Sequence, residues 1–303
     1  MKQLLVLSGK GGTGKTTVAG AFIKLAEAKA YADCDVDAPN LHLIMNDLQE
    51  PERKDYYGME KAVIDPERCT ACGLCKEYCR FRAITEQVKQ EGLSKHHYLQ
   101  PKYHVNSYSC EGCGVCEGVC PEKAITLESD IAGELMLYQG DAIFSTAELK
   151  MGSGTSGLLV TEVKKQLNAA AKDAELAIID GSPGIGCPVI ASISGVDMTL
   201  VVAEPSISGI SDMKRILETA KKFNVETGVC VNKFDTNKEN TERIEEFCKE
   251  NQINFFGKIP YDPEAVKAIN KVQSIVDIDC PSGEAVRKVY GRTMKILLAE
   301  SPK

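Results

Sequence analysis

Gly9-Lys10-Gly11-Gly12-Thr13-Gly14-Lys15-Thr16 decides the fold of this chain. The octapeptide satisfies G-x4-G-K-[ST]. It is preceded by Gln3 to Ser8 (QLLVLS), which reads as a short buried strand, and followed by Thr17 to Ala28, which reads as a helix. Strand, phosphate loop and helix in that order make a nucleotide site. Glycines let the backbone bend around phosphates with its N–H groups inward, and the helix N-terminus adds positive potential. Lys15 is expected to reach the β- and γ-phosphates and Thr16 to hold Mg²⁺. Gly11, Gly12, Thr13, Gly14, Lys15, Thr16 and Thr17 are the expected nucleotide contacts.

Outward from this loop, apolar runs at 3–8, 31–34, 141–147, 176–180, 198–203, 227–231 and 253–259 alternate with helical patterns. The clearest of these are 156–171, 208–223, 238–250 and 282–299. Such alternation predicts an α/β fold, a doubly wound parallel sheet covered on both faces. The chain has 303 residues, enough for about two domains at ~150 residues each. With 26% charged and 43% hydrophobic residues, it has no case for wholesale disorder. A net charge of −7 gives no overall pull toward nucleic acid or anionic lipid. No run of 18 apolar residues occurs, and Met1-Lys2-Gln3 leads into a strand rather than a signal peptide. A cytoplasmic protein without a membrane anchor is expected.

Thirteen cysteines in such a chain argue for metal or cluster ligation rather than disulfides. Eight lie between Cys69 and Cys120, and they form a duplication. Residues 69–85 (CTACGLCKEYCRFRAIT) match 110–126 (CEGCGVCEGVCPEKAIT) at eight of 17 positions, and each half reads C-x2-C-x2-C-x3-C. The module resembles the bacterial ferredoxins with two [4Fe–4S] clusters, in which three cysteines of one run and the last cysteine of the other hold each cluster. That resemblance implies an α+β ferredoxin-like domain. It also implies cluster one on Cys69, Cys72, Cys75 and Cys120, and cluster two on Cys79, Cys110, Cys113 and Cys116. Paired zinc sites are the competing reading, disfavoured because zinc modules usually pair two C-x2-C units at a distance. Cys120 precedes Pro121 as in that family, whereas Cys79 precedes Arg80. His96, His97 and His104 fall in the polar stretch 86–106, which reads as a solvated loop rather than a metal site. Nine Lys/Arg against ten Asp/Glu over 61–130 leave the insert nearly neutral.

Lys10 gives the loop the form K-G-G-x-G-K-T, and with it the chain resembles the MinD/ParA/nitrogenase-iron-protein class of P-loop ATPases with a deviant Walker A motif. The resemblance implies ATP/ADP and Mg²⁺ as ligands and an ATP-dependent homodimer in which Lys10 reaches the partner's nucleotide. Matching the class's D-x-D-x-x-x-x-N-L pattern, Asp35 falls on the switch I carboxylate that positions or activates water, and the resemblance counts it with Thr16 and Asp180 among the Mg²⁺ residues, Asp33 and Asp37 being able to share that work. Leu176 to Asp180 takes the Walker B form. Asp180 would then act on Mg²⁺ through its water shell, and Gly181-Ser182-Pro183-Gly184 would form switch II. Asn232 matches the class's adenine-contacting asparagine and Pro260 its loop beside the base. Cys187 lies seven residues after Asp180, the offset at which the nitrogenase iron protein carries a ligand of its bridging cluster. Without a second such cysteine it reads first as a packing residue before Pro188 at a helix start, and otherwise as a bridging ligand.

These readings make residues 1–60 and 131–303 a P-loop ATPase domain and 61–130 an inserted ferredoxin domain. The expected function is ATP hydrolysis coupled to electron transfer to a partner redox protein. An ATPase that assembles or inserts iron–sulfur or other metal cofactors into a receiving protein is the alternative; the paired C-x-x-C of its scaffold relatives is not found near the C-terminus. A membrane-positioning role would need a terminal basic amphipathic helix, and Ser282 to Ala299 reads instead as a docking helix.

Overall fold

The structure is a computed structural model and describes residues 1–45, 48–87 and 102–299; His96 and His97 lie outside the described residues. The first strands in chain order are β1 (Lys2–Leu7), β2 (Ala30–Asp33), β3 (Glu52–Tyr57), β4 (Lys61–Ile64), β5 (Ile84–Gln87), β6 (Lys102–Val105) and β7 (Ile125–Glu128). There follow β8 (Ile131–Gln139), β9 (Ile143–Leu149), β10 (Leu176–Asp180), β11 (Met198–Ala203), β12 (Glu226–Asn232) and β13 (Asn254–Ile259). The helices are α1 (Lys15–Leu25), α2 (Leu74–Tyr78), α3 (Val115–Gly118), α4 (Ser156–Ala170), α5 (Cys187–Ile193), α6 (Ile207–Lys222), α7 (Lys238–Glu250), α8 (Pro263–Asn270) and α9 (Pro281–Leu297). Two compact units result. One comprises Met1–Lys54, Leu135–Glu148 and Ser156–Lys303, the other Asp55–Glu134 and Leu149–Thr155.

In the larger unit β1 is buried from Gln3 to Leu7, as a strand covered on both faces of a parallel sheet must be. It lies between β10 and β11, pairing Leu4 with Ile178 on one side and with Met198 on the other, both in parallel. The nine-stranded sheet runs β13-β12-β11-β1-β10-β2-β9-β8-β3. Every pairing from β13 across to β9 is parallel. Parallel strands bring their carboxyl ends to one edge of the sheet. The ends of β10 and β12, with Asp180 and Asn232, therefore meet there with the loops after β1, β2 and β13, which carry Lys10, Asp35 and Pro260.

Two strands differ from the sequence reading. Residues 46–58 look like a polar connection, yet Glu52–Tyr57 is a strand at the sheet edge, with only Tyr56 of its six residues buried. Charged side chains are what an unpaired sheet edge tolerates, and they erase the apolar signal. Ile131–Gln139 forms a hairpin with β9 through the short connection at Gly140, whose N–H donates to the Ala142 carbonyl. β2, which offers little apolar length, buries all four of its residues between β10 and β9.

The smaller unit holds the duplication as structure. Each half runs strand, cysteine loop, short helix, strand: β4, α2 and β5, then β6, α3 and β7. The halves exchange partners. β4 pairs antiparallel with β7, setting Ile64 against Ile125, and β5 pairs antiparallel with β6, setting Ile84 against Val105. Ala62, Cys75, Ala83, Ile84, Cys110 and Ile125 form the buried centre.

Gly228 in β12 tests how tightly the larger unit is packed. A β-carbon there would stand 1.9 Å from the ring of Phe256, itself only 3% exposed. Gly228→Ala is expected to lower stability by about 1–3 kcal/mol through overpacking. A urea midpoint equal to the parent's would show that the β12–β13 core yields more readily than its geometry indicates.

Candidate functional site

α1 starts at Lys15, directly after Gly14, whose φ of 88° is a backbone state that glycine alone adopts freely. A side chain at Gly14 would also meet Asn232, since a β-carbon would lie 2.3 Å from Nδ2. That Nδ2 donates to the Thr13 carbonyl at 2.6 Å, and the Asn232 Oδ1 accepts the Lys233 N–H at 2.9 Å. Lys233 Nζ adds a bond to the Gly12 carbonyl at 2.9 Å. The loop is thus held by the end of β12. These bonds leave Asn232 one amide hydrogen and one oxygen lone pair. Pro260 follows Ile259, the residue that pairs with Asn232, and the next N–H, that of Tyr261, donates to Asp235 Oδ1 at 2.8 Å.

Lys15 Nζ lies 2.5 Å from Asp180 Oδ1, and both side chains are buried. Burial opposes the lysine's charge, but Asp180, with Asp33 and Asp35 nearby, outweighs it and holds Lys15 above the ordinary lysine value. Asp180 Oδ2 and Thr13 Oγ1 are buried without a hydrogen-bond partner among the described residues. Unmet buried polar atoms are costly, and these two at the mouth of a phosphate loop are what a nucleotide with its hydrated Mg²⁺ would satisfy. Thr16 and Thr17 stand half-buried on the first turn of α1.

Asp33 is fully buried at the end of β2, and its carboxylate accepts three backbone N–H groups, from Asp35 at 3.0 Å and from Asn40 and Leu41 at 2.9 Å. Three of the four lone pairs of its carboxylate hold the 33–41 turn. Burial and the Asp180 charge still push it up to about 7, against those donors and Lys15. Asp35 is half-buried and is pushed up to about 6 by burial, with Lys15 opposing and Asp180 and Asp37 adding. Asp37 is exposed. Lys10 Nζ lies 2.5 Å from Glu204 Oε2 and 3.4 Å from Ser206 Oγ of its own chain. The sequence reading missed Glu204 and Lys233; an acid at the end of β11, before Pro205, was the available signal. Cys187 begins α5 ahead of Pro188 as expected, and its side chain is exposed. A β-carbon at Gly157 would stand 3.1 Å from that of Cys187.

The eight clustered cysteines line two cavities of the smaller unit. Cys69, Cys72, Cys75 and Cys120 surround one of about 20 Å³, with Tyr103 and Glu122 in its wall. Cys79, Cys110, Cys113 and Cys116 surround one of about 20 Å³, with Phe81, Glu111 and Leu127. All eight are free thiols. Backbone N–H groups of Ala83, Ala124 and Ala62 donate to the sulfurs of Cys79 and Cys120 at 3.3 Å and of Cys110 at 3.5 Å. Burial pushes the Cys75 and Cys116 thiols up. Among the described residues no three His, Cys, Asp or Glu side chains converge as a single metal ion requires. His104 sits on β6 opposite Thr85.

Residues 4–275 match the CbiA model, the CobQ/CobB/MinD/ParA nucleotide binding domain. The chain belongs to this family. A Methanocaldococcus jannaschii protein, "Uncharacterized protein MJ0578", is 32% identical over 97% of each chain, so the likeness runs through the cysteine-rich residues as well. The septum site-determining protein MinD of Helicobacter pylori is 29% identical over 42% of this chain and 52% of its own. Among solved structures, Pyrococcus horikoshii MinD complexed with Mg-ADP superposes with a TM-score of 0.56 at 16% identity, covering 100% of this chain and 99% of that one. The Pyrococcus furiosus cell division ATPase MinD gives 0.55 at 16%, over 97% and 99%. These two show the fold. No helix among the described residues is long and apolar enough to cross a membrane.

In this MinD/ParA-type domain the raised carboxyls make the nucleotide-free protein pH-sensitive. Between about pH 4, where an unfolded aspartate titrates, and the folded values near 6 and 7, the folded chain keeps protons on Asp35 and Asp33 that the unfolded chain has lost. Protons bound in excess by the folded state mean that stability falls as pH rises through that window. Asp35→Asn removes one of the two groups. The drop in urea midpoint between pH 4.5 and pH 7 should shrink in that variant; an unchanged drop would place the titration elsewhere.

Proposed function

We propose that this chain is a Mg²⁺-dependent ATPase whose nucleotide-driven switch movements are coupled to electron transfer through two [4Fe–4S] clusters. The observation that carries the reading is the sorting of eight cysteines into two cavities, three from one run and the last from the other in each, in the same chain as a phosphate loop with an ion-paired Lys15 and Asp180. Cys69, Cys72, Cys75 and Cys120 would hold cluster one, and Cys79, Cys110, Cys113 and Cys116 cluster two. A four-iron cluster is larger than an ion, so its thiolates belong around a cavity rather than on a point. The clusters supply one-electron redox chemistry when bound.

On the nucleotide side, Lys15 leaves Asp180 for the phosphates, and Asp180 and Thr16 take the hydrated Mg²⁺. Asp35 orients the attacking water, and Asn232 with the loop at Pro260 receives the adenine. Lys10 crosses to the nucleotide of a second copy in an ATP-dependent homodimer. A redox protein of the same compartment, taken as the cytoplasm, is the electron partner.

Lys15→Ala is expected to abolish ATP binding in calorimetric titration. Asp35→Ala should bind ATP as the parent does and hydrolyse it on the order of 10²-fold more slowly, the scale of losing water positioning. Lys10→Ala should bind ATP without dimerising. Hydrolysis by Asp35→Ala at the parent's rate would remove Asp35 from the mechanism.

Anaerobic reconstitution is expected to load roughly eight irons per chain. Cys120→Ala should disturb the cluster of Cys69, Cys72 and Cys75, and Cys79→Ala the other, giving separate changes in the paramagnetic resonance of the reduced protein. Zinc at two per chain in place of iron, under conditions where both metals are offered, would overturn the cluster reading.

A further inference from the structure

The two halves of the cysteine unit make the same turn and dress it differently. After Cys79 and after Cys120 the chain folds back alike: the Arg82 N–H donates to the Cys79 carbonyl and the Lys123 N–H to the Cys120 carbonyl, each at 3.2 Å. Arg82 and Lys123 have φ of 53° and 49°. Arg80, Phe81 and Arg82 therefore correspond to Pro121, Glu122 and Lys123. Phe81 borders the cavity of Cys79, Cys110, Cys113 and Cys116, as Glu122 borders the other. Because Pro-Glu-Lys satisfies this geometry, the turn itself does not require an aromatic ring between two guanidinium groups.

That ring is 45% exposed although it walls a cavity, and nearby Tyr78 is 55% exposed. Arg80 and Arg82 are exposed, and neither forms an ion pair among the described residues. Lys76 on α2 is paired with Glu86 at 3.3 Å. Residues 74–82 carry three cations and one acid, whereas 115–123 carry one cation and two acids. The near-neutral unit thus segregates its charge between the halves. Glu111, from the other run, is the acid bordering the Phe81 cavity.

We propose that the Tyr78–Arg82 face is the surface through which the cluster of Cys79, Cys110, Cys113 and Cys116 exchanges electrons with a carrier protein whose redox face is acidic. The proposal rests on the cluster reading above. Guanidinium groups without an ion pair among the described residues steer an anionic surface and fix its register, and the apolar ring between them excludes water where the carrier comes nearest the cluster. The step moves one electron and makes or breaks no bond: the cluster loses it and the carrier gains it, or the reverse.

The full chain, anaerobically loaded with iron and reduced by dithionite, is oxidised in a stopped-flow instrument by anionic cobalt(III)–EDTA, by cationic hexaamminecobalt(III), or by an oxidised acidic flavodoxin. Each cobalt(III) takes one electron to become cobalt(II). Arg80→Glu with Arg82→Glu should slow the anionic complex and the flavodoxin about tenfold or more at low salt, spare or speed the cationic complex, and lose most of this difference at high salt. Lys123→Glu on the other turn should change the rates by under about twofold. An iron-loaded double variant with the parent's rates and salt dependence overturns this surface and leaves the clusters standing. A parent that takes up no iron overturns the cluster reading and the surface with it. Should the double variant lose iron, Arg80→Gln with Arg82→Gln is read by the same criteria, with about threefold slowing expected.

Discussion

The ion pair between Lys15 and Asp180 organises the larger unit. It exists because β1 and β10 are parallel neighbours in register, Val6 opposite Asp180, so that the loop leaving one strand returns over the carboxylate ending the other. Both groups are buried, and breaking such a pair by removing one partner typically costs about 3–5 kcal/mol. Under the proposed function, a nucleotide phosphate would have to offer Lys15 a paired state in place of this one. Around it the backbone is already set. The Gly181 N–H donates to the Val6 carbonyl, the Gly184 N–H to the Ser8 carbonyl and the Cys34 N–H to the Asp180 carbonyl, tying the loops after β10 and β2 to the phosphate loop.

The smaller unit depends on a different constraint, the exchange of strands between its halves. β4 takes its antiparallel partner β7 and β6 its partner β5 from the opposite half, so each half completes the sheet of the other. The same exchange carries Cys79 to the cysteines of the second run and Cys120 to those of the first. Strand pairing and cysteine sorting are one fact.

Where the chain places long apolar runs or fixed spacings, its structure was legible beforehand. The phosphate loop, the parallel strands and the fourfold cysteine runs are of this kind, since a strand buried on both faces cannot hide its composition. β3 was illegible because an exposed edge strand of Glu, Arg, Lys and Asp looks like a loop. The three acids after β2 could not be told apart by type. Depth separates them: Asp33 is spent on backbone donors, Asp35 is half-buried beside Lys15, and Asp37 is in solvent. Glu204 escaped notice because pairing with Lys10 depends on two distant strand ends meeting, which spacing does not encode.

Depth and spacing also govern the loop beyond Asp180. α5 has seven residues, too few to be stable alone, and its last carbonyls lack partners within the helix. They are met from α4. Lys164 Nζ donates to the carbonyls of Ser194 at 2.5 Å, Ser192 at 2.7 Å and Ala191 at 3.3 Å, although burial pulls this lysine below its ordinary pKa. At the opposite end of the helix pair, the absence of a side chain at Gly157 lets the β-carbon of Cys187 come close. With both ends of α5 seated on α4, the far side of the 181–186 loop is positioned by α4 rather than by its own sequence. α4 begins at Ser156, the residue after Thr155, where the segment belonging to the cysteine unit ends. One helix is thus joined by a peptide bond to the cysteine unit and by a buried ammonium to the helix that follows Asp180. Lys164 is spent where a short helix would otherwise have no fixed position relative to the nucleotide site.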